Sequence, residues 1–455
     1  MGELPTIDAA GLLSRAAAAV REPIAAAALH RLRHDLTMPL RVALVGRVSA
    51  GKSTILNALL AHPIAATSAG ECTRIVTAYR QGLVDRATIV HTDGSREPLM
   101  LVDGRLPADL PAGTRIVEQL DVELLNDALG DSVVVDTPGL ESLAGWDAAT
   151  TRELERADGI VFVIDVTGAR ARDTTLLSSF QAAASSGLLR SNVVVLLNKA
   201  DLLVEAGDDV AEIEARAAKI LDRWVRPAFE PYAGQIVPVV GLFAEAARAG
   251  TLRQEHVGAL AQIAASDRLE DAPIELRRAI GDVGIAAIVA ALRADPAVDV
   301  RRWLLACSGL AAVQGALDQA FRRTRGRTKI AVALGRARQI VAGQRVATAI
   351  RAELGVALDS LGLRLEPFAA AERGRLLGED AAAEVAALAG DAPLAERLRL
   401  EPGVSARDAD AYVAERAAAW RRRANGALTS ARQEALVGAV LHTYAAIRVQ
   451  LALPR

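Results

Sequence analysis

The chain has 455 residues, a formal net charge of −2, two cysteines, and 51% hydrophobic but only 3% aromatic residues. That length exceeds what one hydrophobic core commonly supports, so two or three domains are expected, and an alanine-rich, aromatic-poor composition favours helices over sandwiches or barrels. The balanced charge argues against nucleic acid as the main partner, and Cys72 and Cys307 form neither a disulfide framework nor a zinc site, which fits a reducing cytoplasm.

Residues Ile7 to Leu36 read as helix, interrupted at Pro23 and ended by Pro39. The N-terminus lacks the basic stretch and long apolar run of a signal peptide. The apolar run Arg41 to Val45 then reads as a buried parallel strand, and similar runs follow at Ser132 to Val135, Ile160 to Ile164, Asn192 to Leu197 and Ile236 to Val240. Helical stretches separate most of them, which predicts an α/β head with a mainly parallel sheet. Thr73 to Thr92 alternates more and predicts an edge hairpin.

After residue 242 the strand signal stops. No proline occurs between Pro296 and Pro367, and Val346, Ile350, Leu354, Leu358 and Leu361 form one apolar stripe. An unbroken helix of about 50 residues would run ~75 Å, so an elongated all-α bundle or stalk is expected. A second stripe, Val437, Leu441, Tyr444, Ile447 and Leu451, lies in the proline-free stretch Gly403 to Leu453, which could close the bundle against the N-terminal helix. The expected organisation is an N-terminal helix joining the bundle (1–38), an α/β domain (39–255) and a helical neck and stalk (256–455) with a tip near 363–403. Trp303 to Leu317 and Ala435 to Ile447 fall short of the ~18 uncharged apolar residues of a membrane span, so membrane contact is expected to be peripheral.

Gly46-Arg47-Val48-Ser49-Ala50-Gly51-Lys52-Ser53 follows the first strand, and Thr54 continues into a helical pattern. This is a phosphate-binding loop in its required context: backbone N–H groups curl around phosphates, Lys52 reaches the β- and γ-phosphates, and Ser53 ligates Mg²⁺. Asp136-Thr-Pro-Gly139 follows another strand, placing a carboxylate to hold Mg²⁺ through water and a glycine near the γ-phosphate. Asn198-Lys199-Ala200-Asp201 follows a third, where an aspartate accepts from the N1–H and amino group of guanine but not from adenine. Thr73 is the candidate that completes the Mg²⁺ shell when GTP is bound, with Thr67 as its rival.

These motifs resemble a dynamin-superfamily GTPase. Ser49 and the string Gly70-Glu-Cys-Thr-Arg-Ile-Val-Thr77 are most similar to the mycobacterial isoniazid-inducible dynamin-like proteins. The likeness extends through Val237 to Leu242, where Val240 replaces a serine, and through Ser308 to Val313 with Phe321. The resemblance implies a GTPase head on a helical stalk. GTP, GDP, Mg²⁺ and a monovalent cation near Ser49 are its cofactors, and self-association runs through the G domains. It also implies membrane remodelling at the cytoplasmic face of the cell membrane. Ser49, Lys52 and Thr73 are the catalytic set. Eukaryotic dynamins carry a glutamine at the place of Val48 to position water, so slow hydrolysis is expected; a poorly hydrolysing scaffold or partner of a paralogous dynamin-like protein is the alternative. Arg47 and Arg74 are candidate charge-compensating arginines. Peripheral contact with an anionic membrane would use Arg322, Arg323, Arg325, Arg327 and Lys329, or Arg421, Arg422 and Arg423 beside Trp420.

Overall fold

The computed structural model describes residues 7–65, 75–138 (save 108, 111–114 and 128), 153, 156–166, 192–204, 210–229, 233–346 (save 267), 348–362, 365, 378–424 (save 391) and 430–452. Two compact units are present. One comprises Pro39–Ala183 and Asn192–Ala320; the other joins the N-terminal helices to the helices from Phe321 onward.

The N-terminal segment forms two helices, α1 (Ala9–Ala19) and α2 (Pro23–Asp35), with Pro23 in the first turn of the second, where its missing N–H costs nothing. The first unit is built on a sheet of nine strands among the described residues: β1 (Leu40–Gly46), β2 (Thr77–Gln81), β3 (Arg86–His91), β4 (Arg96–Leu99), β5 (Val117–Leu124), β6 (Ser132–Asp136), β7 (Gly159–Asp165), β8 (Val193–Asn198) and β9 (Gln235–Pro238). Their spatial order is β4-β3-β5-β2-β6-β1-β7-β8-β9. β6, β1, β7, β8 and β9 are parallel neighbours. β7 and β8 are buried along nearly their whole length, as interior parallel strands covered on both faces must be.

The expected edge hairpin is corrected. β2 does not pair with β3; β5 lies between them, parallel to β2 and antiparallel to β3. The true edge hairpin is β3–β4. The signal for β5 was its alternation: Leu120, Val122 and Leu124 are buried between Gln119, Asp121 and Glu123.

α3 (Lys52–Leu60) follows β1; α4 (Val210–Ile220), α5 (Gly241–Arg248), α6 (Gln254–Ser266), α7 (Ile274–Ala294), α8 (Val300–Cys307) and α9 (Leu310–Leu317) complete this unit. Residues 256–320, expected in the neck, share its core: Leu260, Leu276, Ile280, Ile288 and Leu304 pack with Phe243 and Val240. Val240 is buried and its N–H donates to the Ser308 carbonyl (2.9 Å), so an apolar residue suits the place where relatives in the resemblance carry serine.

The second unit continues with α10 (Arg325–Ala342), α11 (Thr348–Ser360), α12 (Glu379–Leu388), α13 (Leu394–Arg397), α14 (Ala406–Ala424) and α15 (Ala431–Ala452). The single long helix expected between Pro296 and Pro367 is therefore broken. Asp299 caps α8 by accepting from the N–H groups of Arg301 and Arg302, Gly309 takes φ +74°, and a turn at Gly343 separates α10 from α11. Lack of proline permits a helix but does not override caps and glycines. α1 and α2 pack on α10 and α11, through Leu13, Leu29, Leu334 and Leu354, rather than on α15. The stripe on α15 is buried as expected, with Val437, Tyr444 and Ile447 in a core shared with Leu365, Val385, Val413 and Trp420. By length and hydropathy α15 passes as a membrane span over Gln433–Ala452, with half of that window buried inside the bundle.

The region expected as a tip lies partly outside the described residues; its remainder, α12 and α13, is packed. Glu384 on α12 is buried and accepts from Trp420 Nε1 (3.0 Å), Arg416 and Tyr444. Burial raises the carboxyl pKa, but the three donors outweigh it and hold the group below its ordinary range. Glu384→Ala strands these donors, and chemical denaturation should show a loss of about 3 kcal/mol. An unchanged midpoint would show the network to be dispensable. Two buried arginines satisfy helix-terminal carbonyls. Arg327 donates to Leu361 O (3.1 Å) and Ala389 O (2.5 Å), and Arg397 to Ser360 O (2.8 Å) and Leu388 O (2.7 Å). Lys329 is also buried and donates to Asp35 O (2.7 Å). Two members of the first basic cluster thus serve the fold, and Trp420 is fully buried rather than available beside the second.

Candidate functional site

β6, β1, β7 and β8 run parallel, so their carboxyl ends open on one edge of the sheet, where chain order reverses around β1. Open α/β sheets bind ligands at such a crevice. Asp136 ends β6, Gly46 ends β1, Asp165 ends β7 and Asn198 ends β8. The motifs at residues 46–53, 136–138 and 198–201, separated in sequence by up to ~150 residues, meet there because the register aligns Leu44 with Asp136, Gly46 with Val163, and Asp165 with Asn198.

The loop between β1 and α3 leaves no room for side chains at two places. A Cβ on Gly46 would stand 2.3 Å from Val163 O, and one on Gly51 2.2 Å from Asn198 Nδ2; Gly51 also has φ +93°. Ser49 takes φ +62°, and the Ala50 N–H donates to Arg47 O (3.2 Å), closing the turn. Lys52 opens α3, is buried, and donates from Nζ to Gly46 O (3.1 Å) and Arg47 O (3.2 Å). Burial lowers its pKa, partly opposed by Asp136. Arg47, Val48 and Ser49 are exposed, Val48 by 47%, whereas Ala50 is buried and Ser53 and Thr54 are half-buried.

Asp136 Oδ2 accepts from Ser53 Oγ at 3.3 Å, while its Oδ1 is buried without a hydrogen-bond partner. Burial pushes the carboxyl up to about 6, against the pull of Lys52 and Ser53. A buried carboxylate oxygen with no donor, beside a hydroxyl, fits a hard divalent cation: Ser53 and Asp136 would hold Mg²⁺, which would neutralise phosphate charge. Thr137 is buried, and its Oγ1 donates to Leu44 O (2.9 Å), pinning the turn after β6 to β1.

On the other side, Asn198 is a brace. Its Nδ2 donates to Ala50 O (2.8 Å), and its Oδ1 accepts from the Gly241 N–H (2.9 Å). Asn198 thereby fastens the Gly46–Ser53 loop to the start of α5. Lys199 takes φ +60° and lies 4.0 Å from Asp165 Oδ2. Asp201, in the short helical turn Ala200–Leu203, is buried and its pKa is raised by that burial. A buried carboxylate at this turn is suited to take two hydrogen bonds from a base edge. Thr67, Thr73, Arg74 and Gly139 lie outside the described residues.

Motif reading missed three contributors. Asp165 supports Lys199. Asn57 and Glu245, both buried, bond each other at 2.7 Å between α3 and α5. The one available signal was Asn57 itself, a carboxamide inside the apolar run Ile55 to Leu60.

Residues 42–199 match the Dynamin family. The isoniazid-induced protein IniC of Mycobacterium tuberculosis is 36% identical over 256 residues, which is 53% of this chain and 50% of that protein. The transmembrane GTPase Marf of Drosophila melanogaster is 28% identical over 171 residues, 36% of this chain and 20% of that protein. The chain thus spans half or less of the length of these curated relatives. Among solved structures, two from work on an oligomerised bacterial dynamin pair, described as providing a mechanism for long-range sensing and tethering of membranes, are similar. They show 17% and 18% identity, cover 62% and 51% of this chain and 43% and 37% of those chains, and give TM-scores of 0.40 and 0.37.

Proposed function

From the match of residues 42–199 to the Dynamin family we propose that the chain carries a G domain that binds GTP with Mg²⁺, hydrolyses it slowly, and couples nucleotide-dependent association of its G domains to membrane remodelling at the cytoplasmic face of the cell membrane. The observation that carries the nucleotide reading is the convergence of the Gly46–Ser53 loop, Asp136 and Asp201 on one sheet edge, with Asn198 bracing the loop. Phosphoryl transfer asks for positioning and charge neutralisation rather than covalent participation. Lys52 and the loop N–H groups supply the charge, Ser53 and Asp136 the metal site, and Asp201 the choice of base. Thr73 and Gly139 complete the proposed machinery, and Ser49 is the proposed neighbour of a monovalent cation.

Val48 motivates slow turnover. Its exposed isopropyl group orients no water. The same residue favours a second reading, a GTP-binding partner subunit of a paralogous dynamin-like protein. Contact with an anionic bilayer rests on Arg421 and Arg422, which are exposed at the end of α14.

Steady-state GTP hydrolysis with and without anionic vesicles, beside an ATP control, tests the proposal. GTP-specific turnover that rises with vesicles supports it; tight binding without turnover in either condition favours the partner-subunit reading. Asp201→Ala should weaken GTP binding about 10²-fold or more, because both base-edge hydrogen bonds are lost while the phosphate half is intact. Equal GTP affinity in that variant, measured by calorimetry, would remove Asp201 from the base site.

A further inference from the structure

Among the described residues, two separate hydrogen-bonded links tie the Gly46–Leu60 segment to α5, one through the loop before α3 and one through α3 itself. The first is Asn198, between Ala50 and Gly241. The second lies deeper. Asn57, 1% exposed, donates from Nδ2 to Glu245 Oε1 (2.7 Å) and to Ala65 O (3.2 Å), while its Oδ1 accepts from the Ala65 N–H (2.8 Å). The whole carboxamide is therefore committed. Glu245 is 7% exposed; burial raises its pKa, opposed by the Asn57 bond and the nearby Arg105. α3 begins with Lys52 and Ser53, and α5 begins where Asn198 holds Gly241. Together the two links close a ring: phosphate loop, Asn198, α5, Glu245, Asn57, α3 and back to the loop.

We propose that Asn57 and Glu245 are a positioning pair that fixes the distance between the phosphate-binding and base-binding halves of the nucleotide site. The inference rests on the guanine-nucleotide reading above. A ligand that spans both halves feels the spacing; one that occupies only the phosphate half does not. A hydrophobic contact would hold two helices together, but a short directional bond from a fully engaged carboxamide also fixes their register along the axes.

The test uses the full chain, with a fluorescent GDP analogue displaced by GDP or by inorganic pyrophosphate. Asn57→Asp sets two carboxylates against each other and should weaken GDP about tenfold while changing pyrophosphate less than about twofold. Glu245→Ala, which leaves the Asn57–Ala65 bonds in place, should show the same split and decides the matter if Asn57→Asp does not fold. The double variant Asn57→Asp, Glu245→Gln restores a donor–acceptor pair with reversed polarity, though not the bond to Ala65 O, and GDP affinity should recover in part relative to Asn57→Asp. Equal losses for GDP and pyrophosphate, no loss for either, or no recovery in the double variant would overturn the pair's role. If wild type binds no GDP in a Lys52-dependent manner, the nucleotide reading falls and the pair's role with it. Wild-type binding with an unchanged Glu245→Ala removes only the pair.

Discussion

Lys52→Ala should lower GTP turnover by about 10²–10³-fold and abolish the thermal protection that GDP or GTP gives the wild-type protein. Lys52 is a buried cation whose ammonium donates to the Gly46 and Arg47 carbonyls; in the proposed site it would turn to phosphate oxygens instead. Because burial already disfavours its charge, removing it should cost the nucleotide-free fold little. The contrast is the diagnostic: at ligand concentrations of 100 Kd a competent site gains about 2.7 kcal/mol, and the variant should gain none. Lys52→Arg should fail as well, since a planar guanidinium does not fit where a compact ammonium is enclosed. Scanning calorimetry with and without GDP, beside a turnover assay, reads both effects. A variant that still hydrolyses GTP at wild-type rate would remove Lys52 from the site.

Asp136→Asn should reverse a pH dependence. The Asp136 carboxyl is raised from 3.8 to about 6, so the folded protein holds this proton more tightly than the unfolded chain does. The resulting stability is fully present below about pH 4 and is lost as pH rises through about 6, a change of about 3 kcal/mol. In EDTA and without nucleotide, Asp136→Asn should flatten this part of the melting profile and be the more stable protein near pH 7.5. With Mg²⁺ and GTP the order inverts. The ionised carboxylate is then the useful form, Mg²⁺-dependent protection of wild type should grow as pH passes about 6, and the variant should lose hydrolysis by about 10²-fold or more. Parallel melting profiles for the two proteins from pH 4 to 8 in EDTA would show that Asp136 is not strained in the empty site.

The lysine distribution connects these results to the sequence. Of four lysines, Lys52 is enclosed by the phosphate loop, Lys329 is buried on a helix-terminal carbonyl, and Lys199 stands beside Asp165 in the base-side turn. Two of the four, Lys52 and Lys329, are small cations held in buried positions. The arginines divide differently. Arg327 and Arg397 each reach two carbonyls at once, which a fork of donors does and an ammonium does less well. Their burial could not be read from a basic run, because charge is visible in sequence and the neighbouring helix end is not.

By itself the sequence determined what depends on short-range order: the central strands as unbroken apolar runs, the glycine-rich loop between strand and helix, the aspartates at strand ends, and the apolar stripe of α15. In each, the residues that interact lie within a few positions of one another or repeat at a fixed period. Tertiary structure alone decided the rest. It inserted β5 between β2 and β3, because backbone pairing is chosen between strands tens of residues apart. It divided the expected long helix at Asp299, Gly309 and Gly343 and packed residues 256–320 with the sheet. It made Asn198 a brace between the Gly46–Ser53 loop and α5, and it brought Asn57 to Glu245 across 188 positions of chain. A buried polar side chain takes its role from the partner that satisfies it, and that partner is supplied by the packing of distant segments.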